Sequence, residues 1–289
     1  MKNGGDGFPQ PLRGLPRYIE IKGQGTVLFG PLPAARQLAD AYMRSEMRSH
    51  NSPRVYRKVD RSRAELIADE YDRLVHDASE PATAHSYAAL IAETMRQYEF
   101  IRTTGLHIEM LPLDFSIDPY RLTPRLAILD VVRNNHLWVS PTLAAFGSDG
   151  VDSYYDVESN PLLTETNEYI GGIRLVVNDV FRIVHDYFGH IKEGVGFRAD
   201  GEENAWRIHS AMYSEDALGA LTTELRGQNS WLNFGPSGEF NRTADQFDTE
   251  YADQKIGLLP RWVWDEGRLD PNLSEVFIEW MQHRFGAKR

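Results

Sequence analysis

The sequence predicts a mainly α-helical fold with a small β component, an α+β arrangement. Three observations lead there. Apolar residues recur at helical spacing through several long segments, alternating apolar and polar runs are few and short, and three closely spaced helical stretches fill the region from Asn178 to about Leu232.

Taken in order, residues 1–16 are rich in glycine and proline and read as a flexible arm. Tyr18–Lys22 and Gly25–Phe29 alternate in character around a Gly-Gln-Gly run, which predicts a small hairpin. Leu38, Ala41, Tyr42 and Met43 mark a helix from Pro33 to about Ser49. Leu66, Ile67, Tyr71 and Leu74 mark a second from Arg63 to His76. Tyr87, Leu90, Ile91, Met95 and Tyr98 form the stripe of a third, from about Thr83 to Thr103. Gly105 stops that helix, and Leu106–Leu111 reads as a strand ending at Pro112. From Asp114 to Tyr169 the chain reads as loop-rich, with a short helix near Arg125–Arg133 and a strand at Leu137–Val139. With no repeat and no Gly/Ser linker, the expectation is one continuous domain. Its hairpin and helical elaboration spans 17–110 and its helical core region 111–289.

Composition narrows the function classes. Against 31 Lys plus Arg stand 42 Asp plus Glu, a net charge of -11, which repels phosphate backbones and argues against nucleic-acid binding. The absence of cysteine removes disulfides, thiolate ligands and a thiol nucleophile, so a metal here must use His, Asp or Glu. The N-terminus lacks a secretory apolar region, and no run reaches the roughly 18 apolar residues of a membrane span. A cytoplasmic protein without membrane contact is expected; oligomeric state leaves no signature.

The chemistry concentrates around His185-Asp186-Tyr187-Phe188-Gly189-His190. Asn178 is a suitable N-cap, and Val180, Ile183, Val184, Tyr187 and Phe188 form the apolar face of the helix that follows. A five-residue spacing sets two side chains about 140° apart on a regular α-helix, too far for one ion. Gly189 suggests a remedy, by letting the helix end or unwind so that His190 swings toward His185. Two neutral imidazoles and one carboxylate leave three positions open and suit Fe(II) or another divalent first-row metal, which makes this a helical metal-binding core.

The segment Phe181–His190 resembles the metal motif of the aromatic amino acid hydroxylases, in which a His, an acidic residue, two mostly apolar residues, Gly and His follow one another. In that family a glutamate after Thr on a later helix is the third ligand, and Leu221-Thr222-Thr223-Glu224-Leu225 is similar. The resemblance therefore implies His185, His190 and Glu224 as an iron triad. No counterpart of the family's pterin-binding loop stands out, so pterin is not carried over with the metal. Asn178–Arg182, Gly201–Trp206, Glu224–Trp231 and Ala252–Pro260 also resemble an uncharacterised bacteriophage-associated family, which would place the protein in the cytoplasm of the host cell.

Other polar residues crowd the same region. Glu202, Glu203 and His209 lie on an expected helix from Gly201 to Met212, and Glu202 and His209, seven apart, share a face. They read as metal-site partners, a proton relay or the carboxylate ligand itself, or as a charged helix start with a hydrogen-bonded core histidine. Asp186 is placed to hold a ligand imidazole or an arginine. Arg226, Gln228 and Asn229 read as contacts to a polar substrate, with Trp231 and Phe234 as an apolar wall, or as bridges between helices. The expected activity is an Fe(II)-dependent oxygenase or hydroxylase acting on a small molecule or modified polymer. Its rivals are an HD-type phosphohydrolase, reading His185-Asp186 as the HD pair with His136 and Asp216, and a non-enzymatic phage-associated interaction protein.

Overall fold

Helices dominate the computed structural model, which describes residues 10–21, 25–144, 146, 159–244 and 248–266. In the N-terminal third lie α1 (Pro33–Ser45), α2 (Arg61–Arg73) and α3 (Pro81–Arg102). Each start has a local cause. The Asp60 carboxylate accepts from the Arg63 N–H, and Glu80 accepts from Ala82 and Thr83 ahead of α3, whose Pro81 needs no donor. Gly105, at φ +68°, ends the run as expected.

Strands occur in three pairs among the described residues. β1 (Tyr18–Ile21) and β2 (Gly25–Leu28) form the predicted antiparallel hairpin. β3 (His107–Met110) and β4 (His136–Val139) pair in parallel across α4 (Leu126–Asn134), with His107 opposite His136. The third pair, β5 (Glu165–Ile170) with β6 (Ile173–Val176), falls in and just beyond the stretch read as loop. Gly171 and Gly172 turn between them with φ +56° and +82°, the two positive angles that a two-residue hairpin requires. The arm expected over 1–16 is packed where it is described. Leu12 and Leu15 are buried with Val195, Ala205 and Ile208, and Arg13 exchanges backbone hydrogen bonds with Arg54 and Tyr56; residues 1–9 lie outside the described ones.

The second half supplies α5 (Val177–His185), α6 (Ala199–Ser210), α7 (Glu215–Thr222) and α8 (Gln228–Phe234), then the short α9 (Gly238–Asn241) and α10 (Arg261–Asp265). α5 starts at Val177, one residue ahead of the expected cap. Asp179 in its first turn accepts from the Val176 N–H and from both the N–H and hydroxyl of Thr142, while the Asn178 amide donates to the Thr142 hydroxyl. Two apolar clusters clasp α5. Val180, Ile183, Val184, Tyr187 and Phe188 pack with Tyr42, Ile101 and Leu137; Phe181, on the other flank, packs with Tyr87, Leu90, Leu218 and Leu221. At about 1.5–3 kcal/mol for each large apolar side chain buried, these contacts anchor α5, the element that carries His185. No described helix is long and apolar enough to cross a membrane.

Candidate metal centre

Directly after α5 the backbone changes pitch without stopping. Asp186–Ile191 is a π-helical turn, in which the Lys192 N–H reaches the Tyr187 carbonyl five residues back at 2.9 Å. Bonding of residue i to i+5 brings side chains five apart around to the same side, so His185 and His190 meet with ring centroids 4.8 Å apart and planes at 80°. The helix does not end at Gly189. That residue is needed for space: a Cβ there would lie 2.8 Å from His185 Nδ1 and 3.3 Å from the Ala205 carbonyl oxygen.

The carboxylate that joins the two imidazoles is Glu202. Its Oε2 lies 3.2 Å from His190 Nε2 and 3.7 Å from His185 Nε2, and one ligand atom from each of the three lies within 4.8 Å of the others. α6 brings it there through an unusually close backbone approach, since a Cβ on Gly201 would sit 1.7 Å from the Gly196 carbonyl oxygen. That same carbonyl accepts from His190 Nδ1 at 3.1 Å. One glycine contact thus sets both the start of the glutamate helix and the orientation of the second histidine.

Glu224, assigned as third ligand by resemblance, is placed elsewhere. It sits on a second π-helical turn, Thr223–Gly227, where it accepts from the Tyr87 hydroxyl and from Gln228 Nε2 at 2.8 Å. Burial pushes its carboxyl up to about 7, against the pull of those two donors. An inward carboxylate needs a partner or a proton, and this one has neutral donors and a raised affinity for its proton. It stands outside the His185, His190 and Glu202 group.

Outer contacts decide which ring nitrogens face inward. His190 gives its Nδ1 proton to Gly196 and stacks on Phe197 at 4.0 Å. His185 Nδ1 lies 3.2 Å from His209 Nδ1, and His209 Nε2 lies 3.1 Å from Gln97 Oε1. The Gln97 oxygen can only accept, so His209 carries its proton on Nε2 and accepts through Nδ1 from His185. Burial, then the neighbouring His185, holds the His209 pKa well below 6.5, which keeps it neutral and fit for this role. Both ligand candidates therefore turn Nε2 toward Glu202. These two Nε2 atoms are buried and make no hydrogen bond of acceptable alignment. This is the tautomer that metal-ligating histidines need, fixed by outer acceptors in the usual way.

The electrostatics agree. Burial alone would raise the Glu202 carboxyl, but the two imidazoles hold it well below the usual range. Burial works to lower His190 as well, but Glu202 outweighs it and the group titrates above 6.5. A cation must displace that proton. Affinity is therefore expected to climb as pH rises through and beyond about 6.5 and to level off only above the raised His190 value, as competition against a chelator at stepped pH would show. A profile flat between about pH 6 and 8 would take His190 out of the ligand set. Asp186 is lifted to about 6 by burial, with His190 and Arg182 opposing and Glu202 reinforcing, so it lies within the field of the centre.

The remaining expected site residues are occupied by the fold. The Arg226 guanidinium is buried between Glu203, at 3.0 and 2.8 Å, and Glu266 at 2.6 Å. Gln228 bonds Glu224 and Gln254, Asn229 reaches the Ala199 carbonyl, and Trp231 donates to Asp72. The helix-bridging alternative describes them better than a substrate surface does. His136 lies beside Glu109 and Asp130, and Asp216 beside the exposed His85, so neither joins His185-Asp186 as an HD site requires. Compared with protein-family models, curated proteins and solved structures, the chain matches none.

Proposed function

We propose that this chain is a non-haem Fe(II)-dependent oxygenase or hydroxylase whose metal is held by His185, His190 and Glu202, and that its substrate is a small molecule or modified polymer. One observation carries the reading: two buried imidazoles have their Nδ1 protons engaged outward and their unpartnered Nε2 atoms converging on one carboxylate. Two histidines and a carboxylate are the donor set of the facial-triad oxygenases and leave coordination positions for other groups. The bound ion would supply activation of dioxygen, and the protein supplies the frame. His209 and Gln97 keep His185 in its ligand tautomer. Phe181 and Phe197, stacked on the two rings, limit their rotation and shield them from water. The likeness to the hydroxylases then rests on the histidine pair, with the carboxylate taken from α6, and the bacteriophage association belongs to the same proposal.

Protein purified without air or chelator is expected to hold about one iron per chain at this centre, and nitric oxide added to the Fe(II) form should give an iron-nitrosyl EPR signal. His190→Ala should lose both. A fully loaded protein that gives no nitrosyl signal has no free coordination position and would turn the reading toward a structural metal.

A further inference from the structure

A second group of metal-binding side chains lies on the parallel strand pair. Period-two alternation puts His107 and Glu109 on one face of β3, and the register sets His136 of β4 beside His107. The Glu109 carboxylate bridges the histidines, 3.2 Å from His136 Nε2 and 3.6 Å from His107 Nε2. The rings stand 5.3 Å apart, and one ligand atom from each residue lies within 4.8 Å of the others.

An independent feature points the same way. His136 Nδ1 lies 2.7 Å from Asp130 Oδ2, and Asp130 is itself fixed by Tyr120 Oη and Asn134 Nδ2, each at 2.7 Å. Asp130 thus accepts from Tyr120 and Asn134 while its Oδ2 faces the Nδ1 edge of His136, which fixes that ring with Nε2 toward Glu109. The 3.2 Å gap between His136 Nε2 and the Glu109 oxygen is one that a shared proton or a bound cation would span. A carboxylate behind the far nitrogen of a ligating histidine is the common outer arrangement of zinc-class sites.

We infer that His107, Glu109 and His136 form a second, surface site for a divalent cation of the zinc class, with Asp130 as the positioning residue for His136. The site differs from the buried centre in access. The His107 side chain is 69% exposed and that of Glu109 42%, so His107 can swing to close the coordination shell and the ion can exchange with solvent. A bound ion would cross-link β3 to β4. β4 leads at once to Ser140, whose carbonyl accepts from Arg182, and to Thr142, which bonds Asp179, so the cross-link would brace the start of α5.

The test is a titration of the full chain with Co2+ and with Zn2+, followed by ion stoichiometry and by the histidine ring signals in NMR. Two ions per chain are expected, with the His107 and His136 signals moving as one of them binds. The double variant His107→Ala/Glu109→Gln should bind one ion fewer while His190→Ala keeps the surface ion, which separates this site from the iron proposal. Asp130→Asn should weaken the surface ion roughly tenfold or more. The site is overturned if the double variant binds as many ions with unchanged affinities. It is equally overturned if the His136 signal follows pH alone and ignores the ion, which would make the bridging charge a proton.

Discussion

Glu202→Gln is expected to weaken binding of a first-row divalent ion by about a hundredfold or more, roughly 2.8 kcal/mol, while Glu224→Gln changes it by less than about threefold. The ranking follows from what each carboxylate touches. Glu202 faces two imidazole nitrogens that no other group satisfies, so an amide in its place removes the only negative charge of the ligand set. Glu224 already has the Tyr87 hydroxyl and the Gln228 amide. Its variant has a separate signature in stability. The folded protein binds a proton at Glu224 up to about 7, against 4.5 for an unperturbed glutamate, so it holds more protons than the unfolded chain across that window. Stability contributed by this group is thus present below about 4.5 and is lost as pH rises through about 7, and Glu224→Gln should remove that decline. A metal titration in which Glu224→Gln is the more damaging change would restore the hydroxylase order of ligands.

Much of this centre could be read from residue order, and the parts that could not have physical causes. His185 and His190 stood out through their glycine and acidic neighbours, but a spacing of five contradicts a 3.6-residue period. No residue preference marks a π-helical turn, so the unwinding attributed to Gly189 is in the structure a change of pitch. The glycine still mattered, through the volume His185 fills above it. Glu202 and His209 share a helical face at a spacing of seven, and both reach His185, so the relevant signal was already present in α6. The hydroxylase resemblance ranked Glu224 above Glu202, whereas the structure brings Glu202 to the two histidines. That choice depends on the approach of Gly196 to Gly201, a contact between backbones with no side chain to report it.

The helices were legible because burial of one face imposes its period on the residues, as Leu90, Ile101 and Tyr87 show in α3. Short strands carry less of such a signal. β5 alternates weakly, its burial changing from residue to residue over only six positions, and its clearest mark was the Gly171-Gly172 turn. The parallel pairing of β3 and β4 joins segments separated by α4, and local pattern says nothing of the partner a strand will find. It is this pairing that brings His107 and His136 together.

Arg226→Met is expected to destabilise the fold by about 3–5 kcal/mol, the range found when one partner of a buried ion pair is removed. The guanidinium gives Glu203 two hydrogen bonds and Glu266 one, donates to the Val263 carbonyl at 2.6 Å, and lies 4.3 Å from the centre of the Trp206 ring. Glu266 would keep Arg63, whose Nε donates to it at 2.9 Å, so most of the loss should fall on Glu203. The methionine fills much of the arginine's volume and supplies no charge, which leaves that carboxylate buried and deprived of its bidentate partner. Adding Glu203→Leu should then recover a good part of the stability, because replacing both members of a buried pair by apolar groups is often close to neutral. Urea unfolding midpoints of the two variants against the parent chain measure both steps. The metal content of Arg226→Met should stay near that of the parent, since the hydrogen bonds of Arg226 run to Glu203, Val263 and Glu266. A single variant with unchanged unfolding but weakened binding of a polar substrate would make Arg226 a recognition residue and take it out of the framework that joins α6 to the turn before α8.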